Sequence, residues 1–175
     1  ILISQFAFAQ TTYVPDNNFE QALIDLDYDD TLDDYVLTAN ISGVTSLHID
    51  NLSISDLTGI EDFTALTSLS CDNNQLTSLD VSNNTALTYL ECFLNQLTSL
   101  NLSANTALTG LLASDNQLTT LDLSNNTALT NINLQANSLT SLNVSSNTAL
   151  TWLSCGGNQL TSLDVSFNTA LTDLY

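Results

Sequence analysis

Apolar and polar positions repeat along most of the chain with a period of 21 residues. The string Asn-Thr-Ala-Leu-Thr starts at Asn84, Asn105, Asn126, Asn147 and Asn168, and a variant copy starts at Phe63. In the unit that starts at Asn84, the recurring positions are Leu87, Leu90, Cys92, Asn95, Leu97, Leu100 and Leu102. A fixed period of this length predicts a solenoid in which every unit stacks on its sequence neighbours.

Each unit has two halves in which apolar residues alternate with polar ones. The alternation directs the apolar side chains inward and predicts one short strand per half-unit. The predicted fold class is therefore mainly β: a solenoid with parallel strands in one or two ladders and a short N-terminal helical cap. An Asn ends each half-unit, where its amide can bond backbone groups in the turn. The two predicted Asn ladders contain Asn74, Asn95, Asn116, Asn137 and Asn158, and Asn84, Asn105, Asn126, Asn147 and Asn168.

The predicted domains follow the regularity of the repeat. Residues 41–175 form the solenoid, with an atypical first repeat at 41–62 and regular repeats from 63. Residues 10–40 form an acidic cap, in which Asp16 or Asn17 begins a helix. One face of that helix carries Phe19, Ala22, Leu23 and Leu26. No cap follows the last strand at Tyr175, so we expect a truncated chain whose natural form continues with further repeats and domains.

The first nine residues are apolar except for Ser4 and Gln5, and they close with Ala7-Phe8-Ala9. An apolar stretch before a small-x-small motif is typical of the end of a secretory signal peptide. Residues 1–9 are therefore interpreted as a signal peptide remnant, which predicts a secreted or cell-surface protein. A buried first strand is the alternative.

The repeat unit reads LxxLxLxxNxLxxLxLxxN and resembles leucine-rich repeats over Ile41 to Tyr175. Its 21 residues with two nested LxLxxN halves are similar to a class of secreted bacterial surface proteins. The segment from Tyr13 to Leu23 also resembles the N-terminal cap of that class, many members of which end in a type IX sorting domain. The resemblance implies a fragment of a bacterial surface protein, although no sorting domain is present in this sequence.

The sequence contains 19 acidic residues and neither Lys nor Arg, which gives a net charge of −19. This charge repels nucleic-acid phosphates and anionic membrane surfaces, so we expect neither nucleic-acid binding nor membrane insertion. Eight of the acids lie in the predicted cap, where a solvated acidic surface is the simplest interpretation. They are Asp16, Glu20, Asp25, Asp27, Asp29, Asp30, Asp33 and Asp34.

Residues that could support catalysis are scarce. His48 is the single His, and as the polar residue between Leu47 and Ile49 it should point to solvent. The run Asp25-x-Asp27-x-Asp29 suggests a calcium loop, but Asp30 and Val36 replace the Gly and Glu that an EF-hand requires. We therefore predict no enzyme activity, no cofactor and no metal site, with a weak calcium site in the cap loop as the alternative.

The three Cys residues lie in one inward column, in which Ala113 and Leu134 occupy the intervening units. Interchange with Ala and Leu indicates a packing role. Cys155 is three strands from Cys92, or ~14 Å, which is too far for a disulfide. A bridge between Cys71 and Cys92 is the alternative.

The two outward faces of the repeat differ in how much they vary. One carries the near-uniform column Asp80, Asn101, Asp122, Asn143 and Asp164, in which alternation with Asn separates the charges. The Thr column at Thr67, Thr88, Thr109, Thr130, Thr151 and Thr172 is also uniform. A hydroxyl lattice at ~4.8 Å spacing could bind ice, and a purely structural or adhesive array is a further alternative.

The variable face is the predicted binding surface. Tyr89, Phe93 and Leu112 should form an exposed apolar cluster beside Glu91, and Trp152 should stand uncovered ~14 Å away. Exposed aromatic side chains among small polar residues favour recognition of an extracellular protein or glycan. The predicted ligand-binding residues are Tyr89, Glu91, Phe93, Leu112 and Trp152, in a monomeric repeat array. Chance exposure of these aromatics, or their coverage by another domain, is the alternative.

Overall fold

Residues 9–175 of the chain are described by a computed structural model. The predicted signal peptide remnant therefore lies, except for Ala9, outside the described residues. The described part begins with a small cap and continues as a stack of short turns of chain. Seven parallel strands, one from each turn, form the larger of two sheets.

The seven-stranded sheet pairs each strand only with its sequence neighbours. Successive regular strands are offset by 21 residues, as in the pairing of Leu90 with Leu111, and the first pair is offset by 22, as in Leu47 with Leu69. The larger first offset matches the longer first repeat. The strands are β3 (Ser46–His48), β4 (Ser68–Ser70), β5 (Tyr89–Glu91), β6 (Gly110–Leu112), β7 (Asn131–Asn133), β8 (Trp152–Ser154) and β9 (Asp173–Leu174).

The apolar columns form one continuous core beneath this sheet. In the unit that starts at Asn84, Leu87, Leu90, Cys92 and Leu97 have no accessible surface. The same columns are buried in neighbouring units, so each interface between units removes apolar side chains from water. The predicted mainly β solenoid with parallel strands is confirmed.

Both predicted Asn ladders are present, and they bond the backbone of adjacent units. In the first ladder, the Asn95 amide donates to the carbonyls of Cys71 and Cys92, while its oxygen accepts from the Leu76 N–H at 3.0 Å. In the second ladder, the Asn105 amide donates to the carbonyls of Val81 and Asn84. The buried oxygens of the second ladder accept no hydrogen bond from any residue between 9 and 175.

The prediction of one strand per half-unit is wrong for the second half. Between residues 9 and 175, the Leu100–Leu102 half-unit and its equivalents form no strand. Asn101 accepts the N–H of Ser103, and Asp122 accepts that of Ser124. These local side-chain bonds occupy N–H groups that a strand would donate to its neighbour, and they therefore favour turns.

The cap combines an antiparallel pair, β1 (Thr11–Tyr13) with β2 (Tyr35–Leu37), and the helices α1 (Asn17–Asp25) and α2 (Thr38–Ile41). Asp16 caps α1 by accepting the N–H groups of Asn18 and Phe19, as one of the two predicted alternatives requires. Phe19, Ala22 and Leu23 are buried as predicted. Leu26 is 40% exposed, because it follows the helix as its C-cap residue and has left the buried face.

The described residues include no helix with the length and apolar character needed to cross a membrane.

Candidate functional site

The outward side of β3 to β9, here called the sheet face, presents three columns of side chains in register. The first column contains Ser46, Ser68, Tyr89, Gly110, Asn131, Trp152 and Asp173. The second contains His48, Ser70, Glu91, Leu112, Asn133 and Ser154, and Tyr175 follows in the same register. The third, just beyond the strands, contains Asp50, Asp72, Phe93, Ser114, Gln135 and Gly156. No column keeps the same residue type along its whole length, so the chemistry of the sheet face differs from one end to the other.

Tyr89 lies across the neighbouring strand. A methyl group added at Gly110 would come within 2.3 Å of Cδ2 and Cε2 of the Tyr89 ring, so the ring occupies the space that any larger residue at 110 would need. Tyr89 remains 36% exposed, while Gly110 is buried beneath it. Burial raises the pKa of the Tyr89 hydroxyl, and the nearby Glu91 carboxylate raises it further. The absence of a side chain at Gly110 thus permits this orientation of Tyr89.

The other predicted residues of this cluster lie on the same two strands or directly after them. Glu91 pairs with Leu112 in the β5–β6 register, and both are half-buried. Phe93 follows β5 and is also half-buried. The structure therefore places Tyr89, Glu91, Phe93 and Leu112 on one face of adjacent strands. Among the four, only Tyr89 is substantially exposed.

Trp152 lies on β8, three strands from Tyr89. The sequence predicts an uncovered Trp152 ring, but the structure shows the ring partly covered. Its ring packs against that of Tyr175, with centroids 6.0 Å apart and an angle of 45° between the planes. Trp152 is consequently half-buried, whereas Tyr175 is 67% exposed. The prediction considered only the small residues near Trp152 in sequence and missed the aromatic side chain supplied by the next turn of the solenoid.

An acidic group occupies the opposite end of the sheet face. The Ser70 hydroxyl lies 2.9 Å from an Asp72 oxygen and 3.0 Å from a Glu91 oxygen, and it also contacts Asp50. One hydroxyl proton cannot bond three carboxylates at once. Burial raises the pKa of Asp72, and the like charge of Asp50 adds to the rise.

The uniform columns differ from the sheet face because their polar groups bond the protein itself. Each Thr hydroxyl donates to the carbonyl of the Thr in the preceding unit, as Thr109 does to Thr88 at 3.0 Å. Asp80, Asp122 and Asp164 each accept the N–H of the Ser two residues later. This bond holds the pKa of each of these Asp carboxyls below its ordinary value. The Thr column therefore offers no free hydroxyl donor for an ice lattice.

The remaining candidate groups are structural or isolated. His48 is exposed, as predicted, and lies 3.1 Å from the Ser46 hydroxyl. Cys71, Cys92 and Cys155 are buried free thiols, as their packing role predicts. Burial raises the pKa of Cys92 to about 12, which makes it a poor nucleophile at neutral pH. Over residues 9–175, no three His, Cys, Asp or Glu side chains are arranged to hold a metal ion.

Comparison with proteins of known structure places this architecture among bacterial repeat proteins. The functional domain of internalin J from Listeria monocytogenes, described as including a cysteine ladder, matches with a TM-score of 0.88 and 41% identity, covering 97% of this chain and 39% of that one. The fold is that of a leucine-rich-repeat protein. In this chain, the leucine-rich repeats carry Cys71, Cys92 and Cys155 in one column, interrupted by Ala113 and Leu134.

Two further comparisons also match this chain to internalins. Internalin J of Listeria monocytogenes serotype 4b (strain F2365) is 44% identical over 75 residues, covering 41% of this chain and 8% of that protein. An internalin F structure from the same strain has a TM-score of 0.72 at 22% identity, covering 93% of this chain and 56% of that one, and shares the fold alone. No family model matches the chain. The chain thus spans well under half the length of internalin J.

Sequence reasoning assigned no role to five residues of the sheet face: Gly110, Ser154, Tyr175, Asp50 and Asp72. Gly110 and Ser154 carried no signal of their own, because the positions they occupy in the repeat vary freely. Tyr175 could have been found, since it lies 21 residues after Ser154 and must share its column. Asp50 and Asp72 could have been found in the same way, because they precede Phe93 in the third column.

Proposed function

We propose that this chain is a non-enzymatic binding module, extracellular or on the cell surface, that recognises a protein or a glycan through its sheet face. Tyr89, Glu91, Phe93, Leu112 and Trp152 are the contact residues. The observation that carries the proposal is the contrast between the two outward faces. Polar groups of the uniform columns bond their own backbone, whereas the sheet face varies from strand to strand and exposes aromatic rings.

The contact residues suit recognition in different ways. Tyr89 and Trp152 supply large, stiff rings whose contact area costs little conformational entropy on binding. Glu91 supplies a carboxylate that prefers cationic or hydroxyl-bearing groups. A chain with net charge −19 and no basic residue selects against anionic partners by long-range repulsion.

Screening of extracellular proteins and glycans against the purified chain, followed by substitution, tests this function. Tyr89→Ala and Trp152→Ala should each weaken binding about fivefold or more, because loss of a central aromatic contact costs about 1 kcal/mol or more. Asp122→Asn is the matched control on the uniform face, where Asn already occupies the equivalent positions 101 and 143. Loss of binding in Asp122→Asn, with both aromatic variants silent, would place the function on the other face.

A further inference from the structure

An open pocket of about 510 Å³ lies on the sheet face across β7 to β9. Its volume falls within the roughly 300–1,000 Å³ that small-molecule sites occupy. Both aromatic and hydrogen-bonding groups contribute to its walls. The lining residues are Asn133, Gln135, Trp152, Ser154, Gly156 and Tyr175.

Two aromatic rings form the apolar wall of this pocket. Trp152 and Tyr175 are tilted by 45° with their centroids 6.0 Å apart, and together they make an angled apolar surface. Aromatic side chains present an apolar body with a polar edge, which suits ligands that are apolar on one side and polar at the rim. The C–H face of a pyranose ring, bordered by hydroxyls, has this character.

Most hydrogen-bonding groups of the pocket have no partner within the protein. Ser154 as a residue is only 4% exposed, and its hydroxyl, which lines the pocket, makes no hydrogen bond within residues 9–175. Asn133 accepts the Gln135 N–H through Oδ1, which leaves its Nδ2 hydrogens unbonded within residues 9–175. The Gln135 side chain is exposed and equally unbonded in that range. These hydroxyl and amide groups line the pocket without a protein partner, so they are free to bond a ligand that carries hydroxyl groups.

The charge around the pocket restricts the ligand further. Asp173 pairs with Trp152 in the sheet register, and the sequence contains no Lys or Arg that could neutralise an anion. Amide and hydroxyl groups recognise uncharged hydroxyls without a charged partner. Anionic sugars would meet repulsion here.

We propose that this pocket binds a neutral pyranose residue of a glycan. The ring stacks on Trp152 and Tyr175, and its hydroxyls bond Asn133, Gln135 and Ser154. This assignment rests on the proposed function and narrows its partner to carbohydrate at this end of the sheet face.

Trp152 is the single Trp of the sequence, so its fluorescence reports this pocket directly. Titration with the methyl glycosides of glucose, galactose and N-acetylglucosamine should give a saturable change with at least one of them, at dissociation constants on the order of millimolar. The methyl glycoside of N-acetylneuraminic acid, the anionic control, should give none. An array of neutral and sialylated oligosaccharides should show the same preference. The proposal fails if no neutral sugar binds in either experiment, or if the anionic sugar binds best.

Gly156→Leu should fill the pocket and leave the fold intact. A methyl group at Gly156 would meet nothing nearer than 4.0 Å, and the backbone there is not left-handed. This variant should lose sugar binding, and Gln135→Ala should weaken it about fivefold or more, while Asp122→Asn should bind as the parent does. If Gly156→Leu has the same circular dichroism spectrum as the parent protein and binds sugar equally well, the assignment is wrong. If sugars fail but Tyr89→Ala still weakens binding of a screened protein partner, the proposed function stands and only the carbohydrate assignment is wrong.

Discussion

Ser70 shows how closely acidic groups approach one another at the residue scale. Its hydroxyl contacts Asp50, Asp72 and Glu91, and the chain has no Lys or Arg to balance them. Ser70 and Asp72 are 3% and 9% exposed, so water screens this repulsion poorly. The raised pKa of Asp72 shows that this environment disfavours the ionised form of its carboxyl.

Asp72→Asn should therefore raise the melting temperature at pH 7. The pKa of Asp72 is higher in the folded protein than its ordinary value of 3.8, mainly through burial and then through Asp50. Its contribution to stability is full below pH 3.8 and is lost as the pH rises through the folded pKa. The advantage of Asn should accordingly shrink toward zero as the pH falls to about 4 and below. Thermal unfolding from pH 3 to pH 8 measures this trend.

Asp122→Asn serves as the control, because the pKa of Asp122 is shifted in the opposite direction to that of Asp72. The Ser124 N–H holds the pKa of Asp122 below its ordinary value, so ionised Asp122 favours the folded state at neutral pH. Asp122→Asn should not raise the melting temperature at pH 7. A rise in both variants would indicate relief of the overall charge of −19, and the local explanation for Asp72 would then be wrong.

At the scale of single elements, Asp16 joins the cap to the repeats. One carboxylate oxygen accepts two N–H groups that begin α1. The other accepts the Ser55 N–H and hydroxyl at 2.8 Å and the Asp56 N–H at 3.1 Å. Burial raises the pKa of Asp16, but these bonds outweigh it and the net shift is downward.

Asp16→Ala should destabilise the protein by about 2–4 kcal/mol, the sum of a lost helix cap and unpaired backbone donors of Ser55 and Asp56. Urea unfolding followed by circular dichroism gives the value. Asp80→Ala is the matched control, because Asp80 accepts one backbone N–H, that of Ser82, and should cost about 1 kcal/mol. Equal costs for the two variants would show that Asp16 does not join cap and repeats.

The elements also show which features the sequence determines. The 21-residue period predicts that Leu90 is buried and that Tyr89 points to solvent, as the structure shows. The position of each ladder Asn in its turn predicts that its amide bonds the backbone, as Asn95 does. The absence of strands from the second half-units and the packing of Tyr89 over Gly110 could not be predicted in this way. They depend on competing hydrogen bonds and on free space between neighbouring units, which a periodic pattern does not record.

For the whole molecule, the sheet order β3 to β9 means that every unit contacts only the unit before and the unit after. Stability is then close to a sum over adjacent pairs. Duplicating residues 126–146 should add one more pair, raise the urea midpoint, and steepen the dependence of unfolding free energy on urea. A lower midpoint in the duplicated chain would contradict nearest-neighbour stacking.

The same duplication also changes the distance between two binding regions of the sheet face by a known amount. It leaves Tyr89 on Gly110 and Trp152 beside Asn133 and Gln135, but moves the two aromatic centres from three strand spacings apart to four, or from ~14 to ~19 Å. A ligand that contacts only one of the two aromatic centres should bind with unchanged affinity. A rigid ligand that bridges both should lose the advantage of simultaneous contact. Binding measured before and after insertion of a single unit therefore gauges the span of an unseen partner in steps of one strand.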